Sequence, residues 1–192
     1  MAKGEWKGLI LAGLYTGQRL GDLARLRWDA VDFERAILTL TTRKTIRRQI
    51  LPIPSGLLGW LKAAHRASPA NAAEIFPQAN EKVRVKERVG LLSNQFHRLM
   101  VEAGVAEPRS HQKLKAGRKG PREVSQVSFH SLRHTVTSLL KNAGGSPAIV
   151  QEFVGHESKA VSQNYTHIDT AALRKAAALL PDLAEMGLTE QS

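Results

Sequence analysis

The chain has no cysteine among its 192 residues and only 17 acidic side chains. The lack of thiols excludes disulfide bonds and thiolate metal sites. The acidic residues form no cluster of the kind that holds two magnesium ions in many nucleases. No apolar run approaches the roughly 20 residues of a membrane helix, and no signal peptide or Walker loop is present. We therefore expect a cytoplasmic protein with no membrane contact, no metal and no cofactor.

Basic residues are abundant by contrast. Lys and Arg together number 28, which gives a formal net charge of +11 and a pI near 10.3. A surplus of this size indicates a polyanionic partner, most often nucleic acid. The length suits one domain with a buried core, and the hydrophobic content of 42% is ordinary for a globular protein.

Apolar residues repeat at helical spacing along most of the chain, and β-branched residues alternate in one short region. Eight helices are expected. The first begins near residue 5 and ends at Gly17, and the next four cover 20–26, 55–67 (with Ser55 as cap), 90–103 and 129–143. The sixth begins at Pro147 after the cap Ser146, the seventh follows Ser158 and contains Tyr165, and the last covers 169–180. Strands at 36–42 and 49–53 should form a hairpin, and 74–77 should be extended. The predicted fold class is mainly α with a small antiparallel β-sheet (α+β), in one domain over 1–182 before a flexible tail at 183–192.

Residues 105–126 form a basic segment. Six Lys or Arg stand there against two Glu, together with glycines and prolines that favour a loop. A solvated insertion is the alternative to a binding role. The cations that we expect to contact nucleic acid here are Lys113, Lys115, Arg118, Lys119 and Arg122.

Six further residues suit the metal-free cleavage of a phosphodiester: Arg19, Lys44, His130, Arg133, His156 and Tyr165. A phosphodiester under attack accumulates negative charge, and two guanidiniums can bind its non-bridging oxygens with paired hydrogen bonds. The phenol of Tyr165 is a candidate nucleophile once its proton is removed. Histidine and lysine are suitable proton acceptors and donors.

The order and spacing of these residues are specific. Arg133 lies three positions after His130, His156 follows Arg133 by 23, and Tyr165 follows His156 by nine. In this pattern, the chain resembles the catalytic domain of tyrosine recombinases, the phage-integrase and Xer-like family, from about Trp6 to Pro181.

The resemblance implies a role for each residue. Tyr165 would attack DNA to form a 3′-phosphotyrosyl link, and Lys44, at the hairpin tip, would protonate the leaving 5′-oxygen. His130 would act as general base or phosphate donor, and His156 as a second phosphate contact. Asp22 would orient Arg19 through an ion pair. The remaining basic residues of the hairpin turn would contact phosphates: Arg43, Arg47 and Arg48.

The resemblance also implies partners. Double-stranded DNA would be the substrate, and a C-terminal helix with the apolar face Leu173, Ala176, Ala177 and Leu180 would dock on a neighbouring protomer in a tetrameric synapse. Folding of that helix onto its own chain is equally compatible with the sequence. We expect a monomer without DNA, of bacterial or phage origin. Because the first helix begins near residue 5, the family's amino-terminal core-binding domain is expected to be absent from this chain.

The sequence has three alternative interpretations. A type IB topoisomerase-like enzyme would share the arginines and the tyrosine, and a DNA-binding module could have lost cleavage. The intact set of six residues disfavours the second. Zinc binding by His130 and His134 is disfavoured because Ser131 stands where an HExxH motif needs glutamate.

Overall fold

A computed structural model describes residues 4–43, 46–85, 89–108, 127–155 and 170–181. The helices in these ranges are α1 (Glu5–Thr16), α2 (Leu20–Leu23), α3 (Ser55–Ala67), α4 (Pro77–Val85), α5 (Val89–Glu102), α6 (Phe129–Asn142), α7 (Pro147–Val154) and α8 (Thr170–Ala178). A 3-10 turn at Trp28–Ala30 leads into β1 (Val31–Asp32), β2 (Ile37–Thr41) and β3 (Arg48–Pro52). The predicted fold class is confirmed. No helix in these ranges is both long enough and apolar enough to cross a membrane.

The sheet is antiparallel, with strand order β1-β2-β3. Leu38 lies opposite Leu51, and Leu40 lies opposite Gln49, so that one face of the β2–β3 hairpin packs inward. The backbone N–H of Thr42 donates a hydrogen bond to the carbonyl of Arg47 at 2.9 Å, which joins the two ends of the turn between β2 and β3. The predicted hairpin is therefore present, while β1, only two residues long, was not predicted.

Helix α1 lies at the centre of the domain, with buried residues around most of its circumference. Helix α6 packs along it, and α2 and α3 cover other sides. Gly17 ends α1 in the left-handed region, at φ 64°, which glycine adopts without the steric cost of a Cβ. The chain turns there so sharply that Arg19 becomes the residue preceding α2.

Three expectations for the helices need correction. Helix α2 ends at Leu23 rather than at residue 26, and Ser55 is the first residue of α3, preceded by Pro54. Pro77 begins α4 instead of ending an extended piece, in keeping with proline at a first helical position. The carboxylate of Glu5 accepts hydrogen bonds from the N–H groups of Gln78 (2.8 Å) and Ala79 (2.9 Å) and satisfies the start of α4.

The C-terminal helices close the domain around the hairpin. The hydroxyl of Ser146 accepts a hydrogen bond from Ile149 N–H at 3.4 Å, which confirms it as the cap of α7. Helix α8 packs against β3 and α7 of its own chain, which is the fold-back alternative for its apolar face. The buried residues of that face are Leu173, Ala176, Ala177 and Leu180. The predicted helix around Tyr165 and the tail at 183–192 lie outside the described residues.

Candidate active site

One open cleft of about 580 Å³ gathers four residues that the sequence pattern singled out. Its walls come from the start of α2, the β2–β3 turn, and the N-terminal turns of α5 and α6. The gathered residues are Arg19, Asp22, Arg43 and His130. Side chains that are far apart in the sequence thus face one space large enough for a segment of a polymer.

Arg133 does not line this cleft and is only 2% exposed. Its Nη1 donates to the carbonyl of Gly17 at 2.8 Å, so that α6 is bound directly to the turn that carries Arg19. Among the described residues, its Nε and Nη2 have no hydrogen-bond partner, and neither has the buried Nη1 of Arg19. Unused donors on two adjacent guanidiniums are what an anion with several oxygens requires.

Burial lowers the pKa of Arg133 to about 10, and the positive charge of Arg19 adds to that effect. The carboxylate of Asp22 acts in the opposite direction. The guanidinium remains protonated at neutral pH, so that two cations persist close to each other. Their mutual repulsion would be relieved by a bound anion.

His130 stands in the first turn of α6, where the Ser131 hydroxyl accepts a hydrogen bond from Ser128 N–H at 3.1 Å. Its ring meets that of His134 edge-on, with centroids 4.9 Å apart. Partial burial lowers the pKa of His130 below its usual value, and the charges of His134, Arg133 and Arg19 lower it further. The imidazole is therefore neutral at pH 7 and able to accept a proton.

The pKa of His130 is directly testable. In the folded chain, its ring protons should titrate below the value of about 6.5 found in unfolded peptides. In His134→Gln, the His130 pKa should rise, because one cationic neighbour is gone. Because the folded pKa is depressed, this histidine's contribution to stability is complete above pH 6.5 and is lost as the pH falls through the folded value. Titration followed by NMR measures the His130 pKa in the unsubstituted chain and in His134→Gln. A value of 6.5 or higher in the folded unsubstituted chain would contradict the lowered pKa.

Asp22 has a different contact from the one expected. Its Oδ1 accepts a hydrogen bond from the backbone N–H of Arg43 at 3.1 Å, and no Arg19–Asp22 ion pair occurs among the described residues. Asp22 thereby joins α2 to the start of the β2–β3 turn. The turn that precedes Lys44 is thus fixed relative to Arg19, although Lys44 itself lies outside the described residues.

The three arginines of the hairpin differ in their surroundings. Arg43 and Arg48 are exposed, as contacts to phosphate require. Arg47 instead forms a half-buried ion pair with Glu152 of α7. The charge of Arg47 is therefore already paired within the chain, and its contact with phosphate stays a prediction.

Eight of the expected site residues are not among those that the structure describes. They lie outside the ranges that the structure describes: Lys44, Lys113, Lys115, Arg118, Lys119, Arg122, His156 and Tyr165. Within those ranges, no three His, Asp or Glu side chains converge as a metal ion would require. Gln18, which lines the cleft, and Gln49, which is bonded to the end of α7, are both buried. They were not predicted, because an uncharged amide carries no chemical signature in the sequence.

The part of the chain that forms the cleft is similar to known proteins. The family model described as "Phage integrase family" matches residues 4–172. The chain belongs to the phage integrase family. The match spans every described residue of the cleft and also the segments that contain Lys44, His156 and Tyr165.

Individual members of the phage integrase family agree with this assignment. The chain is 29% identical over 169 residues to the tyrosine recombinase XerA of Pyrococcus furiosus, covering 88% of this chain and 52% of that protein. The integrase of mycobacterium phage Brujita has the same fold, with a TM-score of 0.62 at 18% identity over 95% of this chain and 54% of the other. The crystal structure of a XerA recombinase matches with a TM-score of 0.51 and 26% identity, over 91% and 62%. The chain spans about half the length of the curated relatives it matches.

Proposed function

We propose that this chain carries the catalytic site of a site-specific DNA recombinase or integrase, which cuts and rejoins DNA without metal through a 3′-phosphotyrosyl intermediate. The observation that carries the proposal is the pair of guanidiniums. Arg133 is buried with two donor atoms unpartnered, and Arg19 beside it has a third, at an open cleft that His130 also lines. Membership of the phage integrase family supports the same conclusion.

In the proposed reaction, one P–O bond forms as another breaks, and each proton that leaves a group is accepted by another. The phenolic oxygen of Tyr165 attacks the phosphorus and forms a P–O bond, while the bond from phosphorus to the 5′-oxygen breaks. His130, neutral at pH 7, accepts the phenolic proton, and Lys44 protonates the departing 5′-oxygen. Reversal by a 5′-hydroxyl of another strand reseals the backbone, so that no nucleotide cofactor is consumed.

The cations stabilise the pentavalent state of this reaction. Arg19 and Arg133 would bind the two non-bridging oxygens, and His156 would add a further contact. Because the Gly17 carbonyl holds Nη1 of Arg133, the orientation of this guanidinium is set before the substrate binds. A donor that is already in place contributes more than one that must first be ordered.

We propose that the DNA backbone is held by the exposed cations around the cleft. Arg43 and Arg48 flank the hairpin tip and would contact phosphates without reading sequence. The basic segment would extend this contact through Lys113, Lys115, Arg118, Lys119 and Arg122. The formal charge of +11 supports strong, salt-sensitive binding of this kind.

The hairpin arginines should differ in the salt dependence of DNA binding. Arg48→Gln should lower the slope of log affinity against log salt by about one, because one phosphate contact is lost. Arg47→Gln should change the slope less, since Glu152 already neutralises that charge. Fluorescence anisotropy with a labelled duplex at several salt concentrations measures both slopes. Equal changes in the two variants would refute the distinction.

We further propose that four protomers assemble on two DNA sites, with α8 as the element that links neighbours. In the fold described above, the apolar face of α8 is buried on β3 and α7 of its own chain, so that linkage would require its release. Without DNA, we expect a monomer. Action on bacterial or phage DNA would place the protein in the cytoplasm, at the nucleoid.

A covalent trapping experiment tests the proposed function. The full-length gene product that contains this chain is incubated in EDTA with a pool of short nicked duplexes of randomised sequence, from which the freed 5′-hydroxyl fragment diffuses away. We expect a protein–DNA species that resists detergent and that yields DNA bound to tyrosine after proteolysis. Failure to form such a species, or cleavage that depends on a divalent metal, would refute the proposal.

A further inference from the structure

Two buried glutamines reach the same helix end from different elements. Nε2 of Gln18, in the α1–α2 turn, donates to the carbonyl of Phe153 at 3.4 Å. Nε2 of Gln49, in β3, donates to the carbonyl of Glu152 at 3.0 Å. Each glutamine is only 2% exposed. The last carbonyls of a helix have no partner within the helix, and here two side-chain amides supply hydrogen bonds to the end of α7.

This helix end also packs against both elements, and a glycine stands at each contact. Gly155 follows α7 in the left-handed region, at φ 71°, and a Cβ there would lie 2.6 Å from Oε1 of Gln49. A Cβ on Gly17 would lie 2.9 Å from Cγ1 of Val154. The end of α7 is therefore fixed from two directions, by β3 and by the turn that carries Arg19.

At both positions the amide nitrogen satisfies a carbonyl at the helix end, while, among the described residues, the amide oxygen is left unsatisfied. The Oε1 atoms of Gln18 and Gln49 are buried and have no hydrogen-bond partner within the described part of the chain. A buried carbonyl without a donor costs free energy, which offsets part of what the bonds from the amide nitrogens contribute to stability. The two amides fix the position of the helix end relative to the α1–α2 turn and to β3.

We propose that Gln18 and Gln49 are positioning residues, which fix the end of α7 relative to Arg19 and Arg133 and so set the point from which the chain continues to His156. The inference rests on the proposed function, in which His156 contacts the scissile phosphate. Gln18 is the neighbour of Arg19, and Gln49 touches Gly155, the neighbour of His156. A contact that is placed before DNA binds contributes more to the transition state than one that must be ordered during the reaction.

The test uses Gln18→Met and Gln49→Met, which keep the side-chain length and remove the amide. Single-turnover cleavage is measured with the full-length protein and a nicked duplex selected from the trapping pool. We expect each variant to cleave about tenfold to a hundredfold more slowly than the unsubstituted protein, with little change in DNA affinity. In a His156→Ala background, the same substitutions should have little further effect, because they act through that residue.

Ser146→Ala is the matched control. It removes the cap at the opposite end of the same helix, and so lowers the stability of α7 without touching Gln18, Gln49 or Gly155. Thermal unfolding ranks the variants by stability, and all rates are taken well below the melting temperatures. Ser146→Ala should cleave at the unsubstituted rate. If one methionine variant does not fold, the other decides the outcome.

Three outcomes would overturn the inference: methionine variants that cleave at the unsubstituted rate, an undiminished effect in the His156→Ala background, or equal slowing by Ser146→Ala. Absence of any covalent product from the unsubstituted protein is a different result. It would refute the proposed function itself, and this inference with it.

Discussion

Replacement of Tyr165 by phenylalanine should abolish the covalent protein–DNA product while leaving DNA binding close to normal. The substitution removes one oxygen, the atom that would attack phosphorus, and keeps the ring. The sequence contains only two tyrosines, so the number of candidates is small. Denaturing gel electrophoresis after incubation with the nicked duplex shows the product, and anisotropy shows the binding.

Tyr15→Phe is the matched control for this prediction. Tyr15 is 1% exposed within the central helix α1, where its oxygen cannot reach a bound duplex. We expect the covalent product to persist in Tyr15→Phe, after correction for any fraction that is unfolded. A product that survives in Tyr165→Phe, or DNA found by mass spectrometry on another residue, would contradict the assignment of the nucleophile.

Arg133→Met should slow cleavage by roughly a hundredfold to a thousandfold, the usual loss when one preorganised donor to a transition state is removed. The same change should raise the free energy of unfolding by about 1 kcal/mol, because a buried cation with unpaired donors is replaced by an apolar side chain of similar length. Burial already lowers the pKa of this guanidinium to about 10, which shows that its charge is disfavoured there. Single-turnover rates and chemical denaturation measure the two effects.

Arg133→Lys separates charge from geometry. An ammonium cannot both reach Gly17 and offer two parallel donors to a phosphate, so most of the rate loss should remain. Arg98→Met removes an exposed arginine of α5 that does not line the cleft, and should leave cleavage unchanged. If Arg133→Met cleaved like Arg98→Met, Arg133 would have no part in the reaction.

Local signals predicted most of the fold. Gly17 ends α1, Ser146 caps α7, and the β2–β3 hairpin lies within one residue of its expected ends. Neither β1 nor α4 was predicted, and α4 depends on a contact across the chain. The start of α4 is satisfied by Glu5, 73 positions earlier, and no periodicity near Pro77 reveals that partner.

The sequence predicted which charged residues lie at the candidate site, but not which hydrogen bonds and ion pairs they form. The spacing of His130 and Arg133, and the context of Arg19, follow a family pattern that can be read directly. The partners of Asp22 and Arg47 could not be read in the same way, because each depends on which of several nearby groups the tertiary fold brings close. Asp22 binds the Arg43 backbone, and Arg47 pairs with Glu152 across 105 positions.

The contacts that shape the anion site have a consequence for synthesis of the protein. The bond from Arg133 to Gly17 joins positions 116 apart, and that from Gln18 to Phe153 joins positions 135 apart. A ribosome that has made only the first half of the chain has therefore produced Arg19, Asp22 and Arg43, but not Arg133 or Phe153, the distant partners in these two bonds. Under the proposed function, a nascent or prematurely terminated polypeptide should therefore not cleave DNA, because these contacts form only once most of the chain has been translated.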